Sequence, residues 1–207
     1  GLKSGQINAD FGFSAMRVGN RIRGKSRPTG SVGPVEPLGD RLCGLGMGFW
    51  ILRSKFEDLG GLDETYFVNE DTEFCLRLAS KQETAWFDAV AGVVIRPTGD
   101  AEDGFSATST RSRCERSHTF VKLLEVYADV FADFQTERRK FALRAIKYGS
   151  LDRSSFATYQ LAQRLLPGES RPELIWHVMR LSLSERLGAM LQRKKRSNPS
   201  IQFAART

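Results

Sequence analysis

Acidic residues cluster between residues 60 and 73 of this chain. The five carboxylates are Asp63, Glu64, Glu70, Asp71 and Glu73, and they follow a Gly-Gly pair. Apolar residues then recur at helical spacing, which predicts a helix over residues 71–81. A carboxylate on a turn that leads into a helix is well placed to act as a general base at the rim of a cleft. The segment is therefore our candidate site.

Ordinary helix chemistry offers an alternative explanation for the same residues. Acidic side chains in a first turn interact favourably with the helix dipole, and Glu73 and Arg77 have the spacing of an exposed ion pair. Asp63 after the glycines is typical of an Asx turn that fixes the approach to the next residues. These explanations and the catalytic one stay open at the level of residue types.

The order of residues from about 42 to 96 resembles the acceptor side of inverting, family-2 type glycosyltransferases. The resemblance lies in a strand with a basic residue and short helix (residues 48–59), the Gly-Gly-Leu-Asp-Glu turn (60–64), and Glu70-Asp71 before a helix with Leu76-Arg77. It implies that Asp71 takes the proton of the acceptor hydroxyl. It also implies that Glu70 shapes the acceptor pocket and that Glu73 is a second acidic residue there. After the Gly-Gly turn, Asp63 and Glu64 could hydrogen-bond loop backbone or acceptor hydroxyls.

Aromatic and basic residues near this segment are further candidates. Trp50, Tyr66 and Phe67 could form an aromatic floor under a sugar ring, and core packing is the competing explanation, which we favour for Trp50 and Phe67. The family commonly has a metal-binding histidine where this chain has Arg96. Arginine cannot bind a divalent cation but can grip a diphosphate, so Arg96 is a candidate substrate contact, with a structural role at a strand end as the alternative.

The nucleotide-binding half of the family has no counterpart in this chain. Family members carry an Asp-x-Asp motif that chelates Mg²⁺ or Mn²⁺ and neutralises the leaving diphosphate. No two aspartates here are separated by a single residue. The resemblance implies the metal for the full-length enzyme, whereas we identify no metal ligands here. We therefore expect the acceptor half of a longer enzyme, inactive on its own.

Charge divides the chain into two parts. Residues 1–99 carry 12 basic and 12 acidic side chains, whereas residues 100–207 carry 19 basic and 12 acidic ones. The basic run at residues 193–196 follows an apolar helical pattern, which suits a contact with anionic lipid; a solvated helix end accounts for it equally. Three scattered cysteines and no signal-like segment favour a cytoplasmic protein, which the lipid contact would hold at the inner face of the membrane.

Patterns along the chain predict three regions. Residues 1–41, rich in Gly and Arg, are interpreted as a loop-rich connecting segment. Residues 42–99 are interpreted as an α/β acceptor-binding half, with strands at 46–52, 85–87 and 89–95 and a short helix at 54–59. Residues 100–207 are interpreted as a polar loop and an α-helical extension. Its helices are predicted at 115–134 and 136–148, then from a cap at Asp152 to Leu166, and from a capping box at 170–173 with a break near Ser182.

The fold class predicted is α/β, the acceptor half of a glycosyltransferase A-type fold with an α-helical C-terminal extension. The resemblance implies transfer of a hexose or deoxyhexose from a nucleotide sugar to a glycan or lipid-linked hydroxyl in cell-envelope polysaccharide synthesis. Two alternatives remain: a basic nucleic-acid-binding module, and a non-catalytic interaction domain with the same fold. The first lacks a recognition helix pattern, an interleaved aromatic-basic strand and a zinc framework, so we expect no nucleic-acid partner.

Overall fold

A computed structural model describes residues 9–23, 28–33, 48–81, 83–95, 112–150 and 154–197. The chain divides into two compact units. The sheet unit comprises residues 1–110 and 125–137, and the helical unit comprises residues 111–124 and 138–207. Strands and helices both occur in the described residues, so the fold is of the mixed α/β kind.

The sheet unit is built on a five-stranded mixed sheet. Its strands are β1 (Phe11–Val18), β2 (Arg21–Arg23), β3 (Gly30–Val32), β4 (Trp50–Ile51) and β5 (Ala85–Ile95). β1 runs parallel to β5, which pairs antiparallel with β3. The other edge of β1 pairs antiparallel with β2 and β4, which lie against its two ends.

Helix α2 (Glu70–Ser80) covers one face of this sheet; the shorter α1 (Arg53–Asp58) precedes it. Side chains two residues apart on a strand share a face, so Phe11 and Phe13 point the same way. They are buried with Phe74 and Leu78 of α2 in one apolar cluster. Each such ring removed from water contributes about 1.5 to 3 kcal/mol, which makes this cluster the main attachment of α2 to the sheet.

Two strand predictions for the front of the chain need correction. Residues 1–41 were interpreted as loop, yet they contain β1, β2 and β3. The two strands predicted at 85–87 and 89–95 are a single strand whose register against β1 shifts between Ser14 and Met16. The Asp88 carboxylate accepts a hydrogen bond from the Val90 amide (2.9 Å) at this irregularity. Of the strand predicted at 46–52, residues 46 and 47 lie outside the described residues.

Five helices follow the sheet. They are α3 (Arg113–Val126), α4 (Ala128–Asp133), α5 (Gln135–Gly149), α6 (Ser155–Leu165) and α7 (Arg171–Ser197). The helix predicted at 115–134 is in fact two, because the backbone leaves helical geometry at Tyr127 (φ −108°, ψ 32°). In the helical unit, Phe120 packs edge-on against Phe141 (5.5 Å between centroids), and the Ser117 hydroxyl donates to the Ala145 carbonyl (2.8 Å).

The ends of the last two helices differ in part from the sequence prediction. α6 is capped by Ser154, whose hydroxyl accepts from the Ala157 amide (3.2 Å), and the predicted cap, Asp152, lies outside the described residues. The predicted link between positions 170 and 173 is present, since Glu173 accepts from the Ser170 amide (2.8 Å). The break predicted near Ser182 is wrong, because α7 is continuous from Arg171 to Ser197.

A residue larger than glycine at position 12 is expected to destabilise the sheet. A methyl group there would come within contact distance of the Trp86 carbonyl oxygen, which is fixed backbone, and lie 2.7 Å from Trp50 Cε2. Gly12→Ala should therefore lower the free energy of unfolding by about 1 to 3 kcal/mol, the usual range for overpacking. Gly33→Ala is the matched control, since a methyl group at Gly33 meets nothing within 4 Å. Urea denaturation followed by fluorescence distinguishes them, and equal stabilities would contradict the close approach.

Candidate functional site

A pair of left-handed glycines turns the chain between α1 and the acidic segment. Gly60 and Gly61 have φ of 79° and 70°, a backbone conformation that residues with a side chain rarely adopt. Their amides donate to the carbonyls of Glu57 (2.9 Å) and Phe56 (3.0 Å), which satisfies the end of α1. The Gly-Gly pair is thus the stop signal of one helix and the start of the loop that leads to the next.

Asp63 stabilises the loop itself. Its Oδ1 accepts a hydrogen bond from the Thr65 amide at 2.8 Å, and its carbonyl accepts from the Tyr66 amide at 3.1 Å. This is the Asx-type turn expected of an aspartate after two glycines. The structure thus shows a backbone-shaping role for Asp63, and its contact with an acceptor stays a prediction.

Asn69 is the N-cap of helix α2, and it is the one non-glycine residue of the described chain with a positive φ (60°). The Glu73 amide donates to the Asn69 carbonyl (2.8 Å), which starts the helix. Glu70, Asp71 and Glu73 fill the first turn, where the helix dipole favours negative charge. The sequence predicted this helix within one residue at each end.

Asp71 is partly buried and held by its neighbour. Its Oδ1 accepts from the Thr72 amide (2.6 Å) and from the Thr72 hydroxyl (3.2 Å). Among the described residues, no lysine or arginine forms an ion pair with Asp71, and no donor is bonded to its Oδ2. The carboxylate therefore has one anchored oxygen and one oxygen that can accept a proton. Glu70 is partly buried beside it.

Glu73 lies in the interior, with 3% of its surface exposed. Arg77 Nε donates to its Oε1 at 3.0 Å, a second guanidinium nitrogen contacts Oε2, and the Tyr127 hydroxyl donates to Oε1. The ion pair predicted between Glu73 and Arg77 exists, but it is buried rather than exposed. Both oxygens of Glu73 are engaged inside the protein, which does not favour its predicted place in an acceptor pocket. The roles predicted for Glu70 and Asp71 stay predictions.

Arg77 connects the helix to the preceding turn. Its Nη1 donates to the carbonyls of Leu59 (2.6 Å) and Gly61 (2.8 Å), on either side of the chain reversal. One guanidinium group thus joins the buried carboxylate of α2 to the loop that precedes it, with charge-assisted hydrogen bonds in a fixed fork. This cluster of Glu73, Arg77 and Tyr127 fixes the position from which the loop approaches Asp71.

The pKa values of three groups around Glu73, those of Tyr66, Tyr127 and Arg77, are raised. The pKa of Tyr66 is raised to about 12, chiefly by burial and next by the negative charge of Glu73. Burial, and then the hydrogen bond to Glu73, also raise the pKa of Tyr127. The hydrogen bond to Glu73 raises the pKa of Arg77. At neutral pH Tyr127 is therefore a hydrogen-bond donor, and Arg77 is a cation.

The aromatic candidates divide between interior and surface. Tyr66 is buried, whereas Phe67 is 63% exposed. Trp50 is partly buried, and its indole lies directly over Gly12 of β1. Core packing, which we favoured for Phe67, is wrong; for Trp50 the indole does pack on the sheet. Arg96 lies outside the described residues, so its predicted role is not addressed by the structure.

The described carboxylates do not form a divalent-metal site. No group of three or more His, Cys, Asp or Glu side chains in the described part of the chain could hold a metal ion. Asp63 Oδ1 is bound within its turn, and Glu73 is bound by Arg77. The Mg²⁺ or Mn²⁺ implied by the resemblance does not fit these side chains, and we derive no reaction step through it.

Comparison of the chain with models of known protein families, with curated proteins and with solved structures gave no match. Among the helices in the described ranges, none combines the length and the apolar character needed to cross a bilayer.

Proposed function

We propose that this chain is the acceptor-side half of an inverting glycosyltransferase of the A-type fold, with Asp71 as its general base. The observation that carries the proposal is the state of Asp71: partly buried, anchored through Oδ1 by Thr72, and with Oδ2 bonded to no described donor. A general base must lie within hydrogen-bond reach of the proton that it removes. The Thr72 amide and hydroxyl anchor Oδ1, which supports Oδ2 as the oxygen that would take the proton.

The reaction requires one proton transfer and one displacement. The acceptor hydroxyl gives its proton to Asp71 Oδ2, and its oxygen forms a bond to the anomeric carbon from the face opposite the leaving group. The bond from that carbon to the diphosphate breaks, and the nucleoside diphosphate leaves with the electron pair. A single displacement of this kind inverts the anomeric centre. The donor is a nucleotide sugar, and the acceptor is a glycan or lipid-linked hydroxyl at the cytoplasmic face of the membrane.

The surrounding structure supports this role through rigidity. Gly60 and Gly61 set the direction of the loop, Asp63 fixes its turn, and Arg77 ties it to α2. A catalytic group is effective when packing and hydrogen bonds lock it in one geometry. The cluster of Glu73, Arg77 and Tyr127 joins α2 to the Gly-Gly turn, and this rigidity supports the role proposed for Asp71.

A transfer assay on the intact enzyme that contains this chain tests the proposal. The enzyme is incubated with UDP-, GDP- and dTDP-sugars and with lipid-linked or oligosaccharide acceptors, and nucleoside diphosphate release is measured. We expect release that depends on the acceptor, and a product whose anomeric configuration, determined by proton NMR, is opposite to that of the donor. A product that retains the donor configuration, or no acceptor-dependent release from the whole panel, would contradict the proposal.

Phe67 is expected to contribute to acceptor binding. It is the exposed aromatic of the loop, four residues before Asp71, and sugars stack on aromatic faces. Phe67→Ala should raise the acceptor KM roughly five- to tenfold, for a contact of about 1 to 1.5 kcal/mol, and leave kcat nearly unchanged. Val90→Ala, which truncates an exposed apolar residue on β5, is the control. An unchanged acceptor KM in Phe67→Ala would exclude the stacking role.

A further inference from the structure

Helix α7 has an apolar stripe that the described protein leaves uncovered. Trp176, Met179, Leu183 and Leu187 are 62%, 64%, 60% and 51% exposed. They recur every three or four residues, so they form one continuous line along the helix. Large apolar side chains grouped on a monomer surface mark an interaction site, whereas single ones do not.

The inner face of the same helix is already occupied. Leu174 and Val178 are buried, with 3% and 6% of their surfaces exposed. Arg139 approaches His177 Nε2 at 2.9 Å, and His177 lies 3.0 Å from Glu169, so this face is fixed within the helical unit by polar contacts as well. The exposed stripe is therefore a second apolar face, which the packing of the unit does not use.

The charge of α7 indicates what covers the stripe. The helix sequence contains seven basic residues and two acidic ones, and four of the basic residues are consecutive at positions 193–196. Arg180 is exposed between Met179 and Leu183. A helix that carries a tryptophan-containing apolar line and a large excess of Lys and Arg is typical of one that lies in the interface of an anionic bilayer. An apolar protein groove would need no such excess of charge.

We infer that α7 docks parallel to an anionic membrane surface, with the stripe from Trp176 to Leu187 inserted among the acyl chains and the basic excess of its sequence attracting it to the lipid headgroups. This inference stands on the exposure and charge of α7 alone and does not depend on the proposed transferase activity. The occupant is the lipid surface itself, because the stripe supplies apolar area and the basic excess supplies complementary charge.

Vesicle co-sedimentation of the full chain tests the inference. Vesicles of phosphatidylcholine with about one third phosphatidylglycerol should pellet the protein, and binding should fall as salt is raised because the headgroup attraction is screened. Vesicles of phosphatidylcholine alone should bind on the order of a hundredfold more weakly. No binding to the anionic vesicles, or equal binding to both, would overturn the inference.

Two variants separate the apolar and electrostatic contributions. Met179→Glu with Leu183→Glu should weaken binding by on the order of a hundredfold, since two inserted side chains are lost and two negative charges are added. Replacing the four basic residues 193–196 by Gln should weaken binding to a similar degree and reduce its dependence on salt. Unchanged binding in either variant would contradict the docking geometry.

Controls address folding and self-association. Circular dichroism should show unchanged helix content in Met179→Glu with Leu183→Glu, because both positions are exposed, and it is measured for the Gln variant as well. Val90→Glu on β5, also at an exposed position, should bind vesicles like the parent. Sedimentation equilibrium without lipid tests a second copy as the occupant. The stripe would be assigned to self-association instead if the protein does not bind vesicles, forms a dimer without lipid, and becomes monomeric when Met179→Glu and Leu183→Glu are combined.

Discussion

Replacing Arg77 by methionine is expected to lower the free energy of unfolding of the sheet unit by about 3 to 5 kcal/mol. The substitution leaves the Glu73 carboxylate, 3% exposed, without its cation. It also removes the donor for the Leu59 and Gly61 carbonyls. Breaking one partner of a buried pair costs more than the pair itself contributes, because the remaining charge stays away from water. Most domains are stable by only about 5 to 15 kcal/mol, so this loss is about a fifth or more of the total free energy of unfolding.

Tryptophan fluorescence can follow the unfolding of the sheet unit separately from that of the helical unit. Of the three tryptophans, Trp50 and Trp86 lie in the sheet unit and Trp176 in the helical unit. Trp176 is exposed, so Trp176→Phe should disturb the fold little. In that background the fluorescence follows the sheet unit alone, and urea denaturation gives the free energy difference between the parent and Arg77→Met.

The chain contains a matched control for Arg77. Arg53 and Glu57 also form a pair four residues apart on a helix, with Nε and Oε1 2.7 Å apart, but their side chains are 89% and 58% exposed. Arg53→Met should change the free energy of unfolding by no more than about 0.5 kcal/mol, because exposed pairs contribute little. If Arg53→Met and Arg77→Met lose equal free energy of unfolding, burial does not make the Glu73–Arg77 pair more stabilising than an exposed pair.

The burial of Glu73 could not be predicted from the sequence, although its pairing could. Spacing alone identifies Arg77 as the partner, because residues four apart meet on a helix. The hydroxyl that completes the site belongs to Tyr127, 54 residues further on. Tyr127 stands at a break that interrupts an otherwise regular apolar pattern, and nothing local marks that break. A buried polar group depends on long-range partners, and these are absent from any sequence window.

Elsewhere, local sequence patterns predicted some helices and strands correctly and missed others, for physical reasons. α1 and α2 were predicted because two glycines separate them and their apolar spacing is regular. β1 was missed because Phe11, Phe13 and Ala15 alternate within a segment rich in Gly and Arg, and composition outweighed period in our interpretation. The break predicted near Ser182 rested on a capping signature, and such a signature by itself carries too little free energy to interrupt a helix. β5 appeared interrupted at Asp88, where its pairing with β1 becomes irregular.

Asp71→Asn in the intact enzyme is expected to reduce kcat for sugar transfer by roughly 10²- to 10⁴-fold. The amide keeps an oxygen that can accept from the Thr72 amide and hydroxyl, so the loop and the start of α2 should retain their shape. What it loses is the ability to take a proton from the acceptor. The donor and acceptor KM values should therefore change little while kcat falls, which separates a base from a binding residue.

Two comparisons make the outcome for Asp71 decisive. Glu64→Gln removes a negative charge from an exposed position of the same loop, and it should leave kcat within a factor of about two, because general electrostatics at the surface is weak. The stability of Asp71→Asn should lie within about 1 kcal/mol of the parent, since only the interaction of one charge with the helix dipole is lost. If Asp71→Asn folds normally and turns over within a few-fold of the parent, Asp71 is not the base. If the kcat of Glu64→Gln falls as far as that of Asp71→Asn, the loss of activity comes from the charge of the loop rather than from a proton acceptor.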